Sequence, residues 1–237
     1  MTTALENIYT IDFETTDVDP EKAKPVEVCV YNEYQPATGM PYYYLTLINP
    51  EVPIPVETSA IHHITDEDVK THRTWAQVKG DLVAWFRDRK PLPIFVAHNA
   101  KYEKVVLGEF PPVVWICTYK CALRVWPDAP NHKNETLRYY LGLGTGRSRD
   151  QKTHSARHDC EVTFQLLKAL LEHATIEQLV EWTEQPAKLP KVPFGMHRGK
   201  KWSEVPDGYF QWMFKQSDMD ADVMACAREE AARRRAR

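Results

Sequence analysis

Three β-rich segments stand in succession at residues 8–13, 26–31 and 42–48, with turn-prone stretches between them, and helix and strand patterns alternate after that. Trp75, Val78, Leu82, Val83 and Phe86 recur at helical spacing and predict an amphipathic helix. A short buried strand follows at 94–97, then a helix over 101–107, a strand over 113–117, and a helix that ends at 123–126 before Pro127. Val162, Leu166, Leu167 and Leu170 mark one more helix. Consecutive strands followed by alternating elements predict an α/β domain, a mixed sheet with helices packed on it. With 237 residues and 11% aromatics the chain can bury a real core, which excludes a disordered protein. No apolar run approaches the ~20 residues of a membrane span.

The helical pattern stops at Gln185-Pro-Ala-Lys-Leu-Pro-Lys-Val-Pro193, where three prolines in nine residues predict a stiff linker. Charge changes there too. The formal net charge of −3 averages a first part of net −7 with a stretch from Gln185 of 11 Lys/Arg against 7 Asp/Glu, net +4. The expected organisation is a domain over 1–184, a linker over 185–193, a module over 194–219 and an Ala/Arg-rich tail over 220–237 that frays as a helix. The start of the chain carries no basic-then-apolar export pattern. Its five scattered cysteines fit reduced thiols, Cys117 and Cys121 lacking a second pair for zinc. A cytoplasmic location is expected.

The first strand ends Thr10-Ile-Asp-Phe-Glu-Thr-Thr16. Alternation along a strand puts Asp12 and Glu14 on one face and sends Ile11 and Phe13 into the core. Adjacent carboxylates repel, and either a proton or a cation relieves them. Oxygen-only ligands favour a hard ion such as Mg²⁺ or Mn²⁺. His98-Asn-Ala-Lys-Tyr-Glu103 sets polar groups at the C-terminal end of a strand. In His154-Ser-Ala-Arg-His-Asp159, the five-residue separation places His154 in the loop ahead of a helix and Asp159 on it. That suits a general base above a metal site. His154 and His158 with Asp159 also leave a zinc site open.

Asp12-Phe-Glu14, the block ending at Glu103 and His154-x4-Asp159 occur in the order of the DEDDh (DnaQ-like) exonucleases, which the chain resembles. Ser59-Ala-Ile-His-His-Ile-Thr65, Val114-Trp-Ile-Cys-Thr118 and the tail segments Phe194-Gly-Met-His-Arg-Gly-Lys-Lys-Trp202 and Tyr209-Phe-Gln-Trp212 resemble the exodeoxyribonuclease X family within them. The resemblance implies an RNase H-like mixed five-stranded sheet flanked by helices, plus a small C-terminal basic and aromatic module. It implies a 3′→5′ exonuclease that releases nucleoside 5′-monophosphates from DNA using two Mg²⁺ or Mn²⁺ ions. Asp12, Glu14, Asp159 and Glu103 would hold the metals, with His154 as the general base. Glu103 stands where the family has Asp; glutamate is longer by ~1.5 Å, and activity is expected to survive with an altered metal preference.

The expected partner is the 3′ end of single-stranded or duplex DNA, with no membrane involved. Thr15 and Thr16 are expected to present backbone and hydroxyl groups to the terminal nucleotide. Of His62 and His63 one packs and one faces the groove; His63, His98 and Asn99 are assigned to nucleic acid. Arg147 and Arg149 lie in a glycine-containing loop that is either a plain connector or a phosphate contact. Arg198, Lys200 and Lys201, interleaved with aromatics around an Arg198-Gly199 turn between short strands, suit a nucleic acid. Trp202, Tyr209 and Trp212 equally suit a small core. Two other functions fit the same pattern: an exoribonuclease on this fold, and a catalytically impaired nucleic-acid-binding protein.

Overall fold

The structure, a computed structural model, describes residues 5–34, 42–144 and 155–236. β1 (Ile8–Thr15) is the middle strand of a five-stranded sheet of order β3-β2-β1-β4-β5. On one side β2 (Pro25–Asn32) pairs antiparallel with β1 and with β3 (Tyr42–Leu47). On the other, β4 (Ile94–Ala97) and β5 (Val114–Cys117) run parallel to β1. The strands linked directly form the antiparallel half; those linked through helices form the parallel half, because a parallel return needs a crossover. The helices connecting and covering the sheet are α1 (Val56–His62), α2 (Asp66–Val69), α3 (Trp75–Phe86), α4 (Ala100–Leu107), α5 (Thr118–Val125), α6 (Asn134–Tyr140), α7 (Ala156–Leu170) and α8 (Ile176–Glu184).

Alternation along β1 divides the molecule. Tyr9, Ile11 and Phe13 enter a core in which Val78, Leu82 and Phe86 of α3 meet Phe95, Val28 and Val30. Ile8 faces the opposite side, where it packs with Leu167 and Leu170 of α7. Thr10, fully buried, follows on that side and donates its hydroxyl to the Cys160 carbonyl at 3.1 Å. Phe164 and Ala156 of α7 pack on Cys29 and Tyr31 of β2, with Phe164 edge-on to Tyr31 at 5.5 Å. This face of β1 carries Asp12 and Glu14 two and four residues beyond Thr10, so α7 lies over the carboxylates. The predicted strands and the α3, α4 and α7 segments are where the periodicity sets them. The shorter helices α1, α2 and α6 have seven, four and seven residues, too few turns for a repeating apolar pattern.

Beyond α8 the chain departs from its expected form. The proline-rich stretch is packed rather than free: Ala187 is buried, its N–H donating to Asp222 Oδ1 at 2.8 Å, and its carbonyl accepting from Cys226 Sγ at 3.2 Å. The final segment is a helix, α10 (Ala221–Arg235), whose Val223, Cys226 and Ala227 join Val192, Trp202, Val205, Phe210 and Met213 in one cluster. Residues 221–235 therefore contribute to the module's core instead of fraying; small Ala and Cys side chains let the helix approach closely. The Arg198-Gly199 turn exists, with Gly199 at φ +84° and its N–H donating to Val192 O at 2.8 Å. Its flanks are two 3₁₀ turns (Gly195–His197 and Trp202–Glu204) and a single antiparallel bridge between Lys191 and Lys201, not strands.

Phe164 is fully buried and joins the helix over the carboxylates to the sheet. Phe164→Ala should destabilise the protein by about 3–5 kcal/mol, read as a lowered urea midpoint with an unchanged m-value.

Candidate metal centre and active site

Where β1 reaches its C-terminal end, Asp12 and Glu14 project towards the first turn of α7, and one oxygen from each of Asp12, Glu14 and Asp159 lies within 4.8 Å of the others. Ligands on an octahedral Mg²⁺ at ~2.1 Å stand about 3.0 Å apart when adjacent and about 4.2 Å apart when opposed. A small contraction closes the three oxygens on one cation. Glu103, in the first turn of α4, is buried and its Oε2 has no hydrogen-bond partner among the described residues. It stands outside the group of three, yet its charge is felt at Asp12.

The electrostatics of this cluster favour a cation. Burial, then the charges of Asp159, Glu14 and Glu103, hold the Asp12 carboxyl well above the usual carboxylate range. Burial, then Asp159 and Glu27, push Glu14 up to about 8, and burial takes Glu103 to about 8. Without a counter-charge these groups keep protons at neutral pH; a dication would replace the protons. The donor set, all carboxylate oxygen, fits a hard divalent ion.

Several residues not singled out in the sequence hold this geometry. Glu27 lies across from Glu14 in the β1–β2 register, and its Oε2 accepts from the N–H of Ala156, the first residue of α7, at 2.9 Å. Ser155 caps the same helix, its Oγ accepting from His158 N at 3.3 Å. Both bonds satisfy otherwise orphaned N–H groups, and the negative Glu27 complements the helix dipole. Asn134, the first residue of α6, donates through Nδ2 to Asp159 Oδ1 and Asp159 O, each at 3.2 Å. It thereby orients the carboxylate in the way outer partners orient metal ligands. A Glu on the neighbouring strand, or an Asn opening a short helix, gives no periodic signal.

A cleft of about 250 Å³ opens beside the carboxylates, lined by Phe13, Glu14, Thr15, Thr58, His62, Tyr102 and Glu103 among others. His62, not His63, belongs to it. His62 is buried, its Nδ1 accepts from Ile64 N at 3.0 Å, and its Nε2 has no partner among the described residues. His63 is the exposed C-cap of α1 at φ 60° and does not line the cleft. Helix α1 ends between the two histidines, which puts His62 at the cleft and His63 on the surface. Tyr102 brings its hydroxyl to 2.5 Å from Thr15 Oγ1 and donates to Asp17 O at 2.6 Å. Thr16 is buried, its Oγ1 accepting from Lys24 N at 3.1 Å, so its hydroxyl belongs to the turn.

Two other assignments meet protein instead, and a third lines a different cleft. His98 spends both ring nitrogens, Nδ1 on Thr118 Oγ1 at 2.9 Å and Nε2 on His132 O at 2.7 Å. Burial lowers its pKa to about 4, leaving a neutral ring with no free atom for phosphate. Asn99 is the exposed left-handed N-cap of α4 and lines a different cleft, with Lys101, Lys104 and Lys120. His158 is buried with its Nε2 2.6 Å from Glu135 Oε1, which removes it from the zinc reading. Arg198, Lys200 and Lys201 are exposed in the C-terminal module. His154, Arg147 and Arg149 lie outside the described residues.

A carboxylate cluster at the end of the sheet's middle strand thus faces a helix that brings a third acid. Residues 10–167 match the RNase T exonuclease family, and the chain belongs to that family. It is 32% identical over 177 residues to exodeoxyribonuclease 10 of Escherichia coli (strain K12), spanning 73% of this chain and 76% of that one. It is 27% identical over 176 residues to an uncharacterized exonuclease of Escherichia phage 186, spanning 68% and 86%. Among solved structures, exonuclease X in complex with 5′-overhanging duplex DNA superposes with a TM-score of 0.61 at 28% identity, covering 74% of this chain and 99% of that one. The nuclease domain of 3′hExo, a DEDDh family member bound to rAMP, shares the fold at a TM-score of 0.54 and 18% identity, covering 70% and 91%.

Two outcomes follow from this geometry. Asn134→Ala should raise the divalent-ion concentration for half-maximal binding roughly 10–100-fold, measured by calorimetry on the unreacted protein. Glu103→Gln should be more stable than wild type in EDTA at pH 8, with the advantage shrinking to nothing near pH 4.5. The folded carboxyl titrates at about 8 and the unfolded one at 4.5, so the burial penalty grows as pH rises through that window. Thermal melts at stepped pH measure it.

Proposed function

We propose that this chain is a metal-dependent 3′→5′ exodeoxyribonuclease that releases nucleoside 5′-monophosphates, using two Mg²⁺ or Mn²⁺ ions. The observation that carries this reading is the convergence of Asp12, Glu14 and Asp159 oxygens within 4.8 Å beside the buried Glu103. The DNA activity in the name of the 32% identical relative supports the substrate. Divalent ions bound there supply Lewis-acid stabilisation of the phosphoryl oxygens and ease deprotonation of water.

The residues of the chain do the rest. Asp12, Glu14 and Asp159 would hold the ions, and Glu103 would add its negative charge to theirs. His154 takes a proton from the attacking water as its oxygen bonds to phosphorus. The bond from phosphorus to the 3′-oxygen of the penultimate nucleotide breaks, leaving that strand with a 3′-hydroxyl. Thr15 and His62 face the cleft and orient the terminal nucleoside, while Arg147 and Arg149 meet the phosphates leading to it. The acidity of the first part of the chain is compatible with a polyanion because much of it is gathered at the ions. The five cysteines include no disulfide and are all buried, and no described helix is long and apolar enough to cross a membrane. Both observations suit action in the cytoplasm.

Product analysis on matched DNA and RNA oligonucleotides, 5′-labelled and 3′-labelled, tests the reading. The expected result is 5′-mononucleotides released in sequence from DNA 3′ ends in Mg²⁺ or Mn²⁺, with loss of the reaction in EDTA. Faster loss of RNA would instead identify an exoribonuclease. Tight binding with no release would identify a binding protein. Glu103→Ala should slow release by roughly 10²-fold, the cost of misplaced reacting groups, whereas Glu103→Asp should retain it.

A further inference from the structure

Helix α9 (Asp207–Met213) sorts its aromatic residues by face. Phe210 and Met213 point inward, 2% and 0% exposed, and share the module core with Trp202. Tyr209 and Trp212, also three residues apart, lie on the outer side with their rings 5.0 Å apart, and Trp212 is 46% exposed. The core therefore does not need Trp212.

The outer rings are held in place. Phe194 lies 6.4 Å from Tyr209, and the His197 ring meets Tyr209 edge-on at 4.6 Å. Gly195, at φ +65°, brings its backbone so near that an added Cβ would sit 2.5 Å from the Tyr209 hydroxyl oxygen. A cation joins this aromatic surface directly: Lys200 Nζ donates to His197 Nδ1 at 3.3 Å. The tight turn at Gly199 sets Arg198 beside it, and Lys201 follows, all three exposed.

Several cations elsewhere in the C-terminal part are committed to ion pairs. Lys188 pairs with Glu229, Arg233 with Glu230, and Arg234 with Glu230 and Asp207. Arg198, Lys200 and Lys201 form no ion pair among the described residues, and Glu204 turns its Oε2 to the backbone N–H of Lys201 at 2.9 Å. Uncommitted cations beside fixed, partly exposed rings match a chain that offers phosphates and flat, unstacked bases. A duplex hides its base faces in the stack, so the match is to a single strand.

We propose that the Tyr209–Trp212 surface, with Arg198, Lys200 and Lys201, is a second, non-catalytic contact that holds single-stranded nucleic acid by base stacking and phosphate pairing. It rests on the reading of the chain as a nuclease, and it assigns the C-terminal module to substrate retention.

The test uses the full chain. In an Asp12→Asn background that blocks cleavage, binding of a fluorescent 30-nucleotide single strand is measured by anisotropy at several salt concentrations. Trp212→Ala should weaken binding roughly 5- to 150-fold, the range for loss of one stacked base, and Trp212→Phe should restore most of it. Arg198→Ala, Lys200→Ala and Lys201→Ala combined should flatten the dependence of log affinity on log salt by about 2, near 0.7 per lost phosphate contact. With Asp12 intact, hydrolysis of a dinucleotide should be unchanged by Trp212→Ala. Wild-type affinity and salt slope in both surface variants would overturn the proposal. So would a self-association, seen by light scattering, that Trp212→Ala disperses while strand binding stays unchanged. Failure of wild type to cleave even the dinucleotide would instead strike the exonuclease reading, and the binding result would stand by itself.

Discussion

Three carboxylates converge on one point at the end of the sheet's middle strand. Burial and mutual repulsion raise Asp12 and Glu14 together, and Glu103 is raised by burial alone. A fold tolerates such a cluster only when something positive occupies it or when protons remain. Its position must also be enforced, because repelling groups on mobile segments would move apart. The contacts around it do this. Thr10 ties β1 to Cys160 of α7, Glu27 receives the first N–H of that helix, Ser155 caps it, and Asn134 holds Asp159 from the far side. The sheet and α7 thus act as the two jaws of one clamp, and the apolar packing of Phe164 and Leu167 keeps it closed.

The same economy of polar groups explains the histidines. Each ring has two nitrogens, and a buried ring whose nitrogens already have partners is unavailable for chemistry. His98 has spent both within the protein, and His158 has one against Glu135. Among the described residues, His62 keeps Nε2 without a hydrogen-bond partner at the edge of the cleft. Residue type suggests which side chains are able to act; the bonds already made decide which do.

Charge is distributed by role as well. The acidic domain gathers carboxylates for cations, whereas the basic stretch beyond residue 185 divides in two. Its helix α10 pairs Arg233 and Arg234 with its own Glu230, and Arg234 also ties the helix to Asp207 of α9. The turn before α9 leaves its cations exposed. Net charge alone would have treated these alike.

Much of this was legible in the chain itself. The β-then-alternating order of segments specified the mixed sheet, and the two-residue period of a strand put Asp12 and Glu14 on one face whatever followed. The position of Asp159 in the opening turn of α7 was likewise a local property. These readings rest on backbone geometry, which acts over a few residues. What only the tertiary structure decided concerns groups brought together from far apart, such as Thr10 and Cys160, 150 residues distant. It brought Asp159 to β1 and recruited Glu27 and Asn134 as its supports. It chose His62 over His63 and packed α10 onto the module instead of leaving it to fray. Such outcomes depend on which partner consumes each polar atom and which face each apolar side chain buries, and neither is encoded in local spacing.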